Sequence, residues 1–391
     1  MIRDETALLA HGTEADSGRG DSVHFAILDI PIRLDVEERE FASITHAFMG
    51  AYAPGEAAAM AAGDGLAFHV RRVATLPASP TEKVAVHRTR HPYWDFGGLT
   101  DAARVMHVWP TRGLSIERMG TRSWGIGVRH DVDARFAAEG IFHAIRSLAL
   151  YHRPPGNMLH GSAVACGDRL VAFVGPSMAG KTTLMTRMLA NTGCHPFAND
   201  RFLVLPDASL ETRSWPSYAS FCEGHLQGDA SLAAAARRYE AEDCAYRTRR
   251  WGMQLSDRFD KAGKRTYPMR WLREVYGRPY RNAGQLAAIV LCQVSPDIER
   301  TVFRELDLDG ADREQALSCL RASAFDDHEP SFLPWHGLPI PRNAPELGHL
   351  LDRLSAAGGK VISLAVPVNQ LDDATRLLGK ALGLMPDREN G

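Results

Sequence analysis

The sequence predicts an α/β protein, in which a mixed α+β part precedes residue 153 and an alternation of strands and helices follows it. Short apolar runs typical of strands alternate with amphipathic stretches typical of helices. Of the 391 residues, 45% are hydrophobic and 24% are charged, which is ordinary globular composition. We expect three parts: a flexible tail over 1–20, an N-terminal α+β domain over 21–152 and a larger domain over 153–391.

The N-terminal part combines short strands with one strong helix. Extended stretches are expected at 22–34, 66–70, 84–86 and 105–108. A first helix is expected over 35–49. A second helix is expected over 133–151, where Ile141, Ile145 and Leu148 share one face. Two prolines and a glycine at 154–156 cannot continue this helix, so the domain boundary is placed there.

The C-terminal part begins with two apolar strands, 159–165 and 170–174. They are joined through Gly167, which suits the positive φ of a tight hairpin. Further strands are expected at 202–205, 286–294 and 360–366, and further helices at 231–239, 345–354 and 372–382. These strands are apolar enough to be buried on both faces of a sheet.

Charge and cysteine content exclude several classes of partner. Lys plus Arg number 45 against 47 Asp plus Glu, so the formal net charge of −2 gives no overall bias toward nucleic acid or acidic lipid. No stretch approaches the roughly 18–20 apolar residues that cross a bilayer, and no signal peptide is apparent. The six cysteines form no C-x-x-C pair, and we expect reduced thiols in a cytoplasmic chain without nucleic-acid or membrane partners.

One local stretch is strongly basic. Residues 237–281 carry thirteen Lys or Arg against six Asp or Glu, and their Gly and Pro content favours loops over one long helix. This stretch either docks an acidic or phosphorylated partner or forms a solvated loop. The basic side chains concerned are those of Arg247, Arg249, Arg250, Arg258, Lys264 and Arg265.

A phosphate-binding pattern follows the second strand of the C-terminal part. Residues 175–182 match G-x-x-x-x-G-K-[ST], between a predicted strand and a helix whose apolar stripe includes Leu184 and Met188. Such a loop presents backbone N–H groups to phosphate oxygens at the positive end of a helix. The residues expected to bind nucleotide are Gly175, Ser177, Met178, Ala179, Gly180, Lys181, Thr182 and Thr183.

Two of these residues carry chemistry beyond backbone contacts. Lys181 would place a positive charge at the β and γ phosphates, and the Thr182 hydroxyl is suited to ligate a bridging Mg²⁺ ion. The pattern therefore predicts ATP and Mg²⁺ as the bound groups. Asp200, nineteen residues after Lys181, would hold Mg²⁺ or take a proton from an acceptor hydroxyl, with Arg201 steadying an anion. The alternative is a turn aspartate that caps local N–H groups.

These motifs, in this order, resemble the C-terminal domain of the HPr kinase/phosphorylase family. The matching motifs are His160-Gly161, the strand 170–174, the loop 175–182, Gly193-Cys194-His195 and Asn199-Asp200. The resemblance covers residues 159–205 and implies a P-loop kinase core that is also shared with phosphoenolpyruvate carboxykinase. The family has an acidic pair where this chain has Asn199 and Asp200, so Asp200 would serve as base, as metal partner or as both.

The resemblance implies a Mg²⁺-dependent ATP kinase that phosphorylates a hydroxyl, most readily a Ser of a protein or peptide. Catalytic roles would fall to Lys181, Asp200 and His160, although a lone histidine beside a strand is also commonly a packing residue. Without the family's downstream phosphorylase signature, we expect kinase activity only. Two alternatives stay open: a small-molecule hydroxyl acceptor, and a nucleotide-sensing regulator without catalysis. The family also suggests a homo-oligomer.

Overall fold

The computed structural model describes residues 21–38, 41, 65–77, 97–100, 105–109, 113–152, 156–215, 218–241, 265–320 and 346–384. Within these ranges the chain forms two large β-sheets and one small one, with helices packed against them, and this mixed α/β architecture agrees with the predicted class. Of the helices in these ranges, none combines the length and apolar character needed to cross a membrane.

The first sheet contains seven strands in the order β1-β2-β3-β7-β6-β5-β4. They are β1 (Asp21–Ile27), β2 (Ile30–Val36), β3 (Leu66–Val73), β4 (Gly97–Thr100), β5 (Val105–Trp109), β6 (Leu114–Arg118) and β7 (Ser123–Arg129). Helix α1 (Ala134–Tyr151) packs on the sheet, and its predicted face of Ile141, Ile145 and Leu148 is fully buried. Between the strands, Phe68 stacks on Trp124 with ring centroids 5.4 Å apart.

The C-terminal part contributes ten strands within the described ranges, and eight of them form the second sheet. These eight are β8 (Asn157–Cys166), β9 (Arg169–Val174), β10 (His195–Ala198), β11 (Arg201–Val204), β12 (Glu211–Ser214), β15 (Ala283–Val294), β16 (Val302–Glu305) and β17 (Lys360–Val366). The other two, β13 (Tyr218–Phe221) and β14 (Arg265–Pro268), pair only with each other among the described strands.

Three parallel strands form the centre of the large second sheet. β15 pairs in parallel with β9 on one side and with β17 on the other, whereas β8 runs antiparallel to β9. Pairings also close a circuit, because β12 joins β15 to β11 and β11 returns to β8. β8 therefore lies between β9 and β11, with the end of β9 opposite Gly161 and the start of β11 opposite His160.

Helices cover both faces of this sheet. They are α2 (Lys181–Asn191), α3 (Glu223–Gln227), α4 (Ala230–Ala241), α5 (Arg270–Tyr276), α6 (Gly310–Cys319), α7 (Leu347–Ala356) and α8 (Leu371–Ala381). On β9, Val171 and Phe173 contribute to the cluster that includes α2, α4 and α8, whereas Leu170 and Ala172 contribute to the cluster that includes α6 and α7. Burial on both faces was predicted for the strand 286–294, among others, and it is confirmed there: Ile289 and Leu291 lie in one of these clusters, and Val290 and Cys292 lie in the other.

The N-terminal sheet and the second sheet share apolar contacts. Met158, Leu203, Leu205 and Trp215, all from the second sheet or its connections, belong to the same buried cluster as α1 and the first sheet. β11 therefore faces two cores, because Phe202 and Val204 lie in the cluster on its other face. The predicted boundary at 153 stays a prediction.

Most predicted elements are confirmed within the described residues, with two corrections. The helix expected over 35–49 is wrong at its start, because Asp35 and Val36 end strand β2; most of its remainder, like the strand 84–86, lies outside the described residues. The cysteines expected as free thiols include one pair, Cys166 and Cys194, that forms a disulfide. The pairing arises because the β8–β10 ladder places both residues at the same end of the sheet.

Two further expectations fall on residues that the structure does not describe. The tail over 1–20 lies wholly outside the described residues. Of the basic stretch 237–281, residues 242–264 lie outside them, and its described remainder includes the end of α4, strand β14 and helix α5. The stretch is therefore not loop throughout, since it carries regular structure at both ends.

Candidate functional site

The topology brings the predicted site residues to one edge of the second sheet. β9 ends at Val174, and its cross-strand partner on the antiparallel strand β8 is Gly161. The neighbouring residue on β8, His160, pairs with Arg201 at the start of β11. Ligand sites of α/β sheets lie outside the carboxyl ends of parallel strands, and this is the edge at which the loop 175–182 leaves β9.

The loop has the backbone conformation of an anion-binding nest. Three residues adopt positive φ, namely Gly175 at 146°, Met178 at 68° and Gly180 at 88°. Its internal turn is closed by a hydrogen bond of 3.2 Å from the Ala179 N–H to the Pro176 carbonyl. Alternation of left-handed and right-handed residues turns successive N–H groups toward one concave side, which is the geometry that binds phosphate.

The end of β15 fixes the position of the loop. The Val294 N–H donates to the Ala179 carbonyl at 3.0 Å. A Cβ atom on Gly180 would lie 2.4 Å from Cγ2 of Val294, and a Cβ atom on Gly175 would lie 3.1 Å from the Cys292 carbonyl oxygen. Glycine is therefore required at both positions for two reasons, the positive φ and the close approach of β15.

Helix α2 begins directly at the loop and offers its first turn to an anion. Its N-cap residue is Gly180, which has no side chain to cap the first N–H groups. The amides of Lys181, Thr182 and Thr183 occupy the first turn, where helix N–H groups lack intrahelical partners. Since Ser177 and Met178 are exposed, the outer side of the loop is open to solvent.

The Lys181 side chain lies across its own loop. Its Nζ donates to the carbonyl oxygens of Gly175 at 3.0 Å and of Pro176 at 2.9 Å. These contacts fold the ammonium group back onto the first two residues of the loop. A polyphosphate would offer the same ammonium group stronger, charged acceptors.

Asn199 connects the loop helix to the strand β8. Its Oδ1 accepts a hydrogen bond from the Thr182 hydroxyl at 3.0 Å and one from the Ser162 hydroxyl at 3.2 Å. Asn199 and Ser162 are buried, whereas Thr182 is half-buried at the start of α2. Because the Thr182 hydroxyl uses its proton in the hydrogen bond to Asn199, its oxygen lone pairs are left to bind a ligand.

Asp200 occupies an interruption between β10 and β11. These two strands run consecutively along β8, and residues 199–200 break the ladder between them. Asp200 has φ of 86°, and its carbonyl accepts a hydrogen bond of 2.9 Å from the Gly161 N–H. Its side chain is 41% exposed and lies 3.9 Å from Nε of Arg201. Positive φ is uncommon in residues other than glycine, and such backbone outliers cluster at functional sites.

His160 lies at the same edge, on β8 and opposite Arg201. It is half-buried, so it is neither sealed in the core nor fully exposed. Its position beside the loop edge agrees with a role near phosphates and equally with packing between two strands. Its assignment as a catalytic residue stays a prediction.

The donor set at this edge fits a metal that takes most of its ligands from phosphate and water. Among the described residues, no three His, Cys, Asp or Glu side chains converge on a metal position. Mg²⁺ characteristically binds through one or two protein oxygens together with phosphate oxygens and waters. The half-buried Thr182 hydroxyl, oriented by Asn199, fits such a site, and Asp200 lies one residue beyond Asn199.

A buried polar cluster supports helix α2 from behind. The Thr186 hydroxyl donates to the Thr183 carbonyl at 2.9 Å and lies 2.8 Å from Nε2 of His225. The single hydroxyl proton of Thr186 is used in the hydrogen bond to the Thr183 carbonyl. The N–H at Nε2 of His225 is therefore the donor in the hydrogen bond between His225 and Thr186. Burial, with the nearby Arg187, lowers the pKa of His225 to about 3, so the ring is neutral at pH 7.

Several of these contributors escaped sequence reasoning. Ser162 and Thr186 are ordinary polar residues inside apolar stretches, and Val294 is one of many apolar strand residues. The polar residue Ser162, two positions after His160 in a strand otherwise apolar, was a usable signal for a buried contact. The partnership of His225 with Thr186 spans 39 residues and has no sequence signature.

The chain was compared with models of protein families and with curated proteins. No family model matches the chain, and none of the curated proteins matches it. Any function must therefore be argued from the residues that meet at the edge of the second sheet.

Proposed function

We propose that the protein is a Mg²⁺-dependent ATP kinase that transfers the γ-phosphoryl group to a hydroxyl, most readily that of a Ser in a protein or peptide. One observation carries the proposal: a nest-shaped loop at a helix N-terminus lies at the same sheet edge as the interruption at Asn199 and Asp200, and the Thr182 hydroxyl joins the loop helix to Asn199. In this proposal the loop binds the phosphates, and the carboxylate that acts on the acceptor is that of Asp200, which follows Asn199 in the chain.

The residues of the loop would bind and orient the triphosphate. Amides of the nest and of the first turn of α2 face the phosphate oxygens, and Lys181 exchanges its two carbonyl acceptors for phosphate. A bound Mg²⁺ ion would neutralise charge on the β and γ phosphates. Fixed donors of this kind lower the barrier chiefly through positioning and electrostatic stabilisation.

We assign separate roles to Asn199 and Asp200, whereas the sequence left the roles of base and metal partner together at Asp200. Asn199 accepts a hydrogen bond from the Thr182 hydroxyl and so fixes the orientation of that hydroxyl, which is a positioning role. Asp200 is 41% exposed, so its carboxylate is accessible to an acceptor hydroxyl. We assign to Asp200 the removal or orientation of the acceptor proton.

We further propose that the second sheet is a kinase core of the HPr kinase type. The order of motifs along residues 159–205 supports this assignment, together with the pairing of Gly161 with Val174 and of His160 with Arg201. The N-terminal part would contribute acceptor recognition or assembly contacts.

The decisive experiment is transfer of label from γ-labelled ATP. The protein is incubated with labelled ATP, Mg²⁺ and a lysate of the source organism, and the labelled products are separated by size. Asp200→Asn is the informative variant, because asparagine tolerates the positive φ at this position and keeps the size of the side chain. Asp168→Asn, in the exposed turn between β8 and β9, is the matched control.

The proposal expects transfer by the wild type and by Asp168→Asn, and loss of at least about 100-fold in Asp200→Asn, the usual contribution of a general base. A labelled protein supports the protein acceptor, whereas a labelled small molecule supports the metabolite acceptor. ATP binding without any labelled product would instead favour a nucleotide-sensing regulator. Equal rates in Asp200→Asn and the wild type would remove Asp200 from the mechanism.

A further inference from the structure

A disulfide closes the chain around the loop-bearing unit. Cys166 is the last residue of β8, and Cys194 immediately precedes β10. Their sulfur atoms are bonded, their Cα atoms lie 4.4 Å apart, and 28 positions separate them in sequence. Residues 167–193, which the bond encloses, are the hairpin turn, β9, the loop and the whole of helix α2.

The two sulfur atoms differ in accessibility. Cys194 is 1% exposed and belongs to the apolar cluster beneath α2. Cys166 is half-buried at the margin of that cluster, next to the exposed turn residues Gly167 and Asp168. A thiolate from solvent therefore reaches Cys166 before Cys194, because disulfide exchange requires access to the sulfur that is attacked.

Other contacts hold the same region together without the disulfide. The guanidinium of Arg278 donates to the carbonyl oxygens of Leu189 at 2.6 Å and of Cys194 at 3.0 Å. The strand pairing continues through His195 and Ala165, next to the two cysteines. The sheet therefore has the contacts to remain folded when the bond is broken, and the bond adds a constraint on the unit it encloses.

We propose that Cys166 and Cys194 form a thiol–disulfide exchange site that sets how firmly the loop and helix α2 are anchored to the sheet. A dithiol reductant attacks Sγ of Cys166, the S–S bond breaks, and Cys194 leaves as a thiolate that takes up a proton. The second thiol of the reductant then attacks the mixed disulfide, releases Cys166 as a thiol and leaves the reductant as its own disulfide. This site stands whether or not the loop binds nucleotide.

The consequence is a two-state attachment of α2. In the oxidised form both ends of the 167–193 segment are joined at one point, which restricts the unfolded chain and local opening of α2. In the reduced form only non-covalent contacts hold the C-terminal end of the helix. By the loop-closure relation and the usual dependence of melting temperature on stability for a chain of 391 residues, reduction should lower Tm by about 4 °C.

The first test maps the bond in the native protein. Protein purified without reductant is alkylated, digested and analysed by mass spectrometry, and the same is done after native incubation with dithiothreitol. The proposal expects a linked peptide pair containing Cys166 and Cys194 that disappears after dithiothreitol treatment without denaturant. Free alkylated thiols at both positions before reduction would overturn it, as would a bond that reacts only after denaturation.

The second test measures anchoring through Tm and amide hydrogen exchange across residues 181–194. Dithiothreitol should lower Tm and speed exchange in the wild type, and reoxidation with oxidised glutathione should restore both. Cys166→Ser should resemble the reduced wild type and show no response to reductant. Cys319→Ser, which removes a half-buried free thiol, should respond like the wild type. An equal response in Cys166→Ser and the wild type would contradict the proposal, and reoxidation tests it without any variant.

Discussion

Gly180→Ala probes the fit between the loop and β15 most directly. Gly180 has φ of 88°, a region that costs an L-residue about 1–2 kcal/mol. The added Cβ would also lie 2.4 Å from Cγ2 and 2.5 Å from Cβ of Val294, and overpacking of this kind costs about 1–3 kcal/mol. The two costs together amount to about 2–5 kcal/mol.

Two glycines of the same unit separate these costs. Gly167 also has positive φ, 64°, but an added Cβ meets nothing within 4 Å, so Gly167→Ala tests the backbone cost alone. Gly193→Ala meets nothing within 4 Å and needs no positive φ, so it should be close to neutral. Thermal or urea unfolding should therefore rank Gly180→Ala as the most destabilised and Gly193→Ala as the least.

The same substitution should weaken phosphate binding if the loop moves to relieve the contact. A loss of 2 kcal/mol or more corresponds to about 30-fold or more in Kd for MgATP, measured by calorimetry. Val294→Gly in the Gly180→Ala background should recover part of the loss, whereas Val294→Ala should not, because its Cβ retains the 2.5 Å contact. Equal stability and affinity in Gly180→Ala and Gly193→Ala would refute the reasoning.

Two further predictions concern the contacts around helix α2. His225 has a pKa of about 3 in the folded protein against about 6.5 when unfolded, so the unfolded chain binds an extra proton between these values and the free energy of unfolding falls as pH falls through that window. This contributes a slope of up to about 1.4 kcal/mol per pH unit to the free energy of unfolding. Urea unfolding of His225→Gln, which keeps a donor for Thr186, should lack that contribution. Parallel plots of unfolding free energy against pH for the variant and the wild type would contradict it. Asn199→Ala should raise the Mg²⁺ concentration needed for tight ATP binding by about tenfold, the usual effect of losing a residue that orients a metal ligand. Affinity in EDTA should change little, Asn199→Asp should restore the Mg²⁺ response, and an unchanged Mg²⁺ titration in Asn199→Ala would remove the positioning role.

Much of the fold follows from the sequence because the strongest signals are local. The double proline, the period of α1 and the glycine of the 166–169 turn each act on their own neighbours. The helix expected to begin at Asp35 is wrong at its start because Asp35 contacts residues that lie far from it in the sequence. Asp35 is held in β2 by pairing with Ser22 on β1 and with His69 on β3, partners that no window around residue 35 contains.

The candidate site likewise combines a motif that is visible in the local sequence with contacts between residues that are distant in the sequence. The loop 175–182 is visible because glycine, lysine and threonine occur at a fixed local spacing. The hydroxyl pair on Asn199 is not visible, because Ser162, Thr182 and Asn199 meet only through the pairing of β8 with its neighbours. The Cys166–Cys194 bond has no sequence signature for the same reason, since its ends lie 28 positions apart, with strand, loop and helix between them.

The central claim is that the loop ahead of Lys181 binds the triphosphate of ATP, and equilibrium binding tests it most directly. Calorimetric titration with MgATP compares the wild type, Lys181→Ala and the control Lys360→Ala, which removes an exposed lysine paired with Glu305 at 2.8 Å. Loss of a charged hydrogen-bond donor to phosphate, worth about 1.5–3 kcal/mol, predicts at least about tenfold weaker binding in Lys181→Ala alone. A wild type that binds no MgATP, or a Lys181→Ala variant that binds it equally well, would contradict the account.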